Sequence, residues 1–275
     1  MRPSFPRTWR PVARLRWLPL LSLVFLAVAL VRPAWTIGPV TEEWAALYSG
    51  PGNNHDQANA LAVDASGNVY IAGDSHLSNY TTDFATVKYD ASGNEVWARH
   101  YNGPANGVDQ ARALAVDASG NVYVTGNSWG SETNDDYATV KYDASGVRLW
   151  VRCYNGPGNG EDRATALALD AGGNIFVTGS SSRPGSSDDY ATVKYDAMGN
   201  ELWVARYNGP GPDYPSNLAV DAGGTVHVFG TSWGSGTIYD YATVKYDASG
   251  NELWVRRYDG AANGYEIAKA LAVEI

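Results

Sequence analysis

From residue 42 onward the apolar positions fall in short runs with a period of two. Within one representative stretch, Ala113–Asp117 (ALAVD) alternates small and large side chains and Val122–Gly126 (VYVTG) is β-branched and aromatic. Ala138–Asp143 (ATVKYD) alternates apolar with polar residues, and Leu149–Tyr154 (LWVRCY) closes the set. Such runs predict four short strands. No segment past residue 41 sustains a helical apolar period, so the pattern predicts an all-β chain.

The set recurs. Tryptophans stand at Trp44, Trp97, Trp150, Trp203 and Trp254, and ALAVD-like segments end at Asp64, Asp117, Asp170, Asp221 and Glu274, which defines a unit of about 53 residues. The phrase D-A-x-G begins at Asp64, Asp90, Asp117, Asp143, Asp170, Asp196, Asp221 and Asp247, so it joins strands one and two, and again three and four, in each of four units. Asp can cap a tight turn and Gly can take positive φ, so the motif is read as hairpin punctuation and not as a calcium loop. Four antiparallel strands per period of this length predict blades of a β-propeller.

The stretch Asn102–Gly126 (NGPANGVDQARALAVDASGNVYVTG) resembles the SBBP family, the seven-bladed β-propeller repeat, and more distantly NHL-type repeats. The resemblance covers essentially residues 42–275. It implies a propeller and an exported or surface setting, and it carries no catalytic residues to transfer. The chain departs from a seven-bladed ring: a fourth-strand segment (43–48) precedes four complete units, and Leu271–Ile275 breaks off inside a first hairpin. These partial end strands predict an incomplete or truncated ring, whose unsealed edges would favour self-association.

Residues 1–34 differ from the rest. Five arginines before Trp17 and no acid before Glu42 are followed by the apolar run Trp17–Val31. This reads as a signal peptide or, if uncleaved, an N-terminal anchor, ahead of a propeller domain at 35–275. Beyond the leader, 14 basic residues face 29 acidic ones, a formal charge of −15. That balance argues against nucleic acid and anionic membrane surfaces. The expected location is secreted, periplasmic or cell surface. The single cysteine, Cys153, excludes an intrachain disulfide; its counterparts His100, Arg206 and Arg257 mark a solvent-facing position.

Loops between second and third strands, together with blade connections, should share one end of the propeller, where the sequence varies most. Two carboxylate series lie there: Asp56, Asp109, Asp162, Asp213 and Glu266, and Asp83, Asp136, Asp189 and Asp240, doubled by Asp135 and Asp188. They could form oxygen ligands for Ca²⁺; the alternative is that each caps backbone amides of its own blade. Trp129 and Trp233, with His76 and Arg183 in aligned stretches, are candidates for a ligand platform. No H-E-x-x-H, C-x-x-C, G-x-S-x-G or P-loop occurs. The sequence therefore favours an exported binding or scaffold module for extracellular glycan or protein over an enzyme. Its rivals are a polysaccharide hydrolase or lyase using carboxylates such as Asp135 and Asp188, and a remnant of a longer propeller without independent activity.

Overall fold

The computed structural model describes residues 42–77, 81–130, 133–183, 187–234, 236, 238–260, 264 and 266–267. The leader and the last segment, Leu271–Ile275, lie outside the described residues. Among the described residues sixteen strands form four antiparallel sheets of four, each in meander order. Blade 1 comprises β1 (Asp56–Val63), β2 (Val69–His76), β3 (Thr82–Tyr89) and β4 (Glu95–Tyr101). Blade 2 comprises β5 (Asp109–Val116), β6 (Val122–Trp129), β7 (Asp135–Tyr142) and β8 (Arg148–Tyr154). Blade 3 holds β9 (Asp162–Leu169), β10 (Ile175–Ser181), β11 (Asp189–Tyr195) and β12 (Glu201–Tyr207). Blade 4 holds β13 (Asp213–Val220), β14 (Val226–Trp233), β15 (Tyr239–Tyr246) and β16 (Glu252–Tyr258). The all-β, four-bladed expectation holds. The first strands begin earlier than their apolar runs suggest, because the polar residues at Asp56 and its equivalents already pair with β2-type strands.

The D-A-x-G turns work as the residues dictate. Asp64 Oδ1 accepts the amides of Ser66 and Asn68 at 2.9 and 3.0 Å, and Gly67 takes φ of 79°. The turns also join blades. Trp97 lies over Gly146 of the next blade and donates its indole N–H to Ala144 O at 3.2 Å; Trp150 and Trp203 repeat this toward Ala197 and Ala248.

Between blades the aromatic face of one sheet meets the aliphatic face of the next. Tyr70, Phe84 and Trp97 of blade 1 pack with Val122, Val124 and Val140 of blade 2. Full burial of such side chains contributes about 1.5–3 kcal/mol each. The innermost strands β1, β5, β9 and β13 lie against one another in succession, while among the described residues no extensive packing joins the first and fourth sheets. The ring is therefore open. Leu61 and Val63, whose equivalents Leu114 and Val116 pack between blades, are 63% and 57% exposed.

Residues 42–49 are not in a regular strand, yet they supply fourth-strand side chains. Trp44 lies 6.1 Å from Tyr89, as Trp97 lies 6.1 Å from Tyr142, and it covers Gly93 as Trp97 covers Gly146. Behind this segment is a 190 Å³ cavity bounded by Leu47, Tyr48, Ile71, Val87 and Tyr89. It occupies the part of the interface that middle-strand aromatics fill between complete blades.

Candidate functional site

At the connection end, the first carboxylate series holds its own loops. The amide of Gly50 donates to Asp56 at 2.7 Å, Gly103 to Asp109 at 2.6 Å, Gly156 to Asp162 at 2.6 Å and Gly209 to Asp213 at 2.5 Å. A side chain on Gly103 would collide with Ser128 Oγ and Asp109, which accounts for glycine there. Burial raises the pKa of Asp109 and Asp162 and brings Asp213 up to about 6. The pKa of Asp83 also rises to about 6, mainly by desolvation and secondarily through the nearby charge of Asp109.

Each blade aligns Asp, Ser and Asp across three strands: Asp56, Ser75 and Asp83 in blade 1, and Asp109, Ser128 and Asp136 in blade 2. In blades 3 and 4 the fourth strand adds a guanidinium to the row. Arg206 donates to Ser181 Oγ at 2.7 Å, Ser181 O at 2.9 Å, Asp189 at 3.2 Å and the Tyr154 hydroxyl of blade 2 at 2.9 Å. Arg257 repeats this with Ser232, Asp240 and Tyr207. His100 and Cys153 occupy the same place in blades 1 and 2. Cys153 is exposed as expected, whereas the arginines turn inward, because the buried acids of their row attract them.

Among the described residues one group of three acids could hold a single ion: Asp240, Asp259 and Glu266. It includes two members of the sequence-derived series, Asp240 and Glu266; Asp56, Asp109, Asp162, Asp213, Asp136 and Asp189 are distributed over the blades. Asp259 was not legible as a candidate, lying past the fourth strand where its sisters are Asn102, Asn155 and Asn208. Asp135 and Asp188 are each held by a donor, Arg163 Nε to Asp135 at 2.9 Å and Ser182 Oγ to Asp188 at 2.6 Å, and both acids raise the pKa of Arg163.

The platform candidates separate into two kinds. Arg183 binds buried Asp189 at 2.5 Å. His76 is edge-on to His55 and approaches Thr82 Oγ1 at 3.3 Å. Trp129 and Trp233 end strands β6 and β14, and are 44% and 38% exposed. In blade 4 the indole gains company: Tyr239 pairs across the sheet with Trp233 and meets it edge-on at 5.1 Å, and Tyr214 lies 6.1 Å from Tyr239. Sequence reading missed both tyrosines; their signal was that blade 2 has Gln110 and Asp135 in the same places.

With this geometry in hand, the SBBP family model, described as a beta-propeller repeat, matches residues 43–81 and 96–132. Those two stretches match SBBP repeats. A curated relative, the "Regulatory protein FlaEY" of Caulobacter vibrioides, is 31% identical over 160 residues, which cover 52% of this chain and 16% of that protein. The chain thus spans less than a fifth of the relative's length. A protein of unknown function from Dyadobacter fermentans is similar in structure, with a TM-score of 0.51 at 11% identity over 74% of this chain and 69% of that one. At that identity the likeness concerns the fold alone. An α-L-arabinofuranosidase from Fusarium graminearum aligns with a TM-score of 0.49 at 11% identity over 75% of this chain and 67% of its own.

Proposed function

We propose that the chain is an exported binding module that takes an extracellular glycan on the connection end of blade 4. The Tyr214–Trp233–Tyr239 group carries this reading. Tyr214 and Trp233 are both exposed, and aromatic faces beside polar groups suit the apolar face of a sugar ring. Neighbouring Asp240 is tied to Arg257 at 2.9 Å, so the polar surround is fixed before any ligand arrives. The leader supports export, and the acidic balance suits a soluble extracellular setting. The test is a glycan array probed with the chain, followed by affinity electrophoresis of W233A and Y239A. Retention on a polysaccharide that both variants lose supports the reading; capture of proteins alone replaces glycan with a protein partner.

The exposed Leu61 and Val63 on the open face of blade 1 favour a scaffold role as well, through contact with a second copy. Analytical ultracentrifugation of wild type and L61E tests this, with concentration-dependent association expected only in the wild type.

A further inference from the structure

The inward arginines of blades 3 and 4 define a guanidinium seat, and the same acceptors recur in blade 2 without an arginine. Ser128 is 2% exposed. Its Oγ lies close to Asp109 and the Tyr101 hydroxyl but meets neither in hydrogen-bonding geometry. Asp136 Oδ1 is likewise buried with no hydrogen-bond partner, while its Oδ2 accepts from Thr133 at 2.8 Å. The Tyr101 hydroxyl has the Cys153 thiol 4.0 Å away. In blade 3 the equivalents of these groups, Ser181, Asp189 and Tyr154, all accept from Arg206.

A buried acceptor without a donor costs about 1–3 kcal/mol, more where charge is involved. Blade 2 therefore has a row of acceptors matched to a planar, many-donor cation and a fourth-strand side chain too short to supply one. Cys153 has exposed surface while burial raises the pKa of its thiol, so in blade 2 the place that Arg206 fills in its own row begins at the surface and runs inward beneath the thiol. Blade 1 differs: His100 Nε2 is 2.5 Å from the Tyr48 hydroxyl and fills part of the row. A divalent metal fits less well, because among the described residues three His, Cys, Asp or Glu ligand atoms do not converge in blade 2 as they do at Asp240, Asp259 and Glu266. A guanidinium needs separated acceptors in a plane, which Ser, Asp and Tyr from three strands provide.

We propose that blade 2 binds an alkylguanidinium group from outside the chain at Ser128, Asp136 and Tyr101, in the position that Arg206 and Arg257 fill from within blades 3 and 4. The group could arrive on a small molecule or on an arginine side chain of another polypeptide; the chemistry is shared.

The experiment uses the full chain and ethylguanidinium, with tetramethylammonium as the control cation, read by saturation-transfer NMR. Saturable millimolar binding of ethylguanidinium alone is expected. C153R should abolish that binding by supplying the group internally, and should melt about 3–6 °C above wild type. D136N, which keeps the side-chain shape, should weaken binding at least fivefold, and it gives an independent answer if C153R fails to fold. Comparison of ethylguanidinium with the tripeptide Gly-Arg-Gly separates the sources: tighter binding of the peptide assigns the group to a polypeptide, equal binding to a small molecule. Binding that survives unchanged in both variants, a folded C153R that melts no higher than wild type, or displacement of ethylguanidinium by equimolar Ca²⁺ overturns the proposal.

Discussion

Trp97 of blade 1 rests on Gly146 of blade 2, so closely that a Cβ on that glycine would come within 2.8 Å of the indole. Gly146 also has φ of 81°. Gly67 has a similar φ of 79°, but a Cβ there would meet only Ala91 Cβ, at 3.3 Å. G67A should therefore lose about 1–2 kcal/mol for its backbone, whereas G146A should lose roughly 2–4 kcal/mol through backbone and collision together. Urea unfolding of the two variants measures the difference; equal losses would mean that the indole contact contributes nothing.

Arg257 should be costly to remove. Truncation leaves Ser232 and Asp240 buried without their guanidinium, and R257A is expected to destabilise by about 2–4 kcal/mol. R257K should recover only part of that, since an ammonium does not span the Ser, Asp and Tyr acceptors that the fork reaches. Denaturant midpoints of the two variants rank them.

Asp83 predicts a pH dependence with a definite sign. Its folded pKa, about 6, stands above the ordinary aspartate value of 3.8. The folded state thus binds the proton more tightly, and this contribution is fully present below about pH 4 and lost as pH rises through 6. D83N does not ionise, so its stability relative to wild type should improve by roughly 1–2 kcal/mol between pH 4 and pH 7. Paired melts at the two pH values decide it; a constant difference would mean that Asp83 titrates normally.

Trp44 should matter less than Trp97, which is buried between two complete sheets. W97A is expected to cost about 3–5 kcal/mol, and W44A distinctly less, because its segment borders the 190 Å³ cavity and Trp44 packs on Tyr89 of a single blade instead of between two complete sheets. Dye binding to exposed apolar surface should rise in W44A even where stability changes little.

The fold was legible because it rests on local chemistry repeated many times. D-A-x-G announces its turns, and alternation announces its strands, at every period. The site was less legible because it depends on rows that cross strands and blades. His100, Cys153, Arg206 and Arg257 were visible as one variable position, but an exposed place and an inward-turning arginine look alike in sequence. Only the cross-strand register puts Ser181 and Asp189 beside Arg206. Tyr239 was similarly hidden until pairing set it opposite Trp233.

The seating of each tryptophan on the next blade's turn has an evolutionary corollary. Because donor indole and receiving glycine are about one period apart in the chain, a gene that gains or loses a whole 53-residue period leaves each tryptophan that has a following blade with a glycine to rest on. Recombination between the near-identical turn-coding stretches would change blade number without creating a mismatched joint, so array length is free to drift while the joints themselves stay fixed.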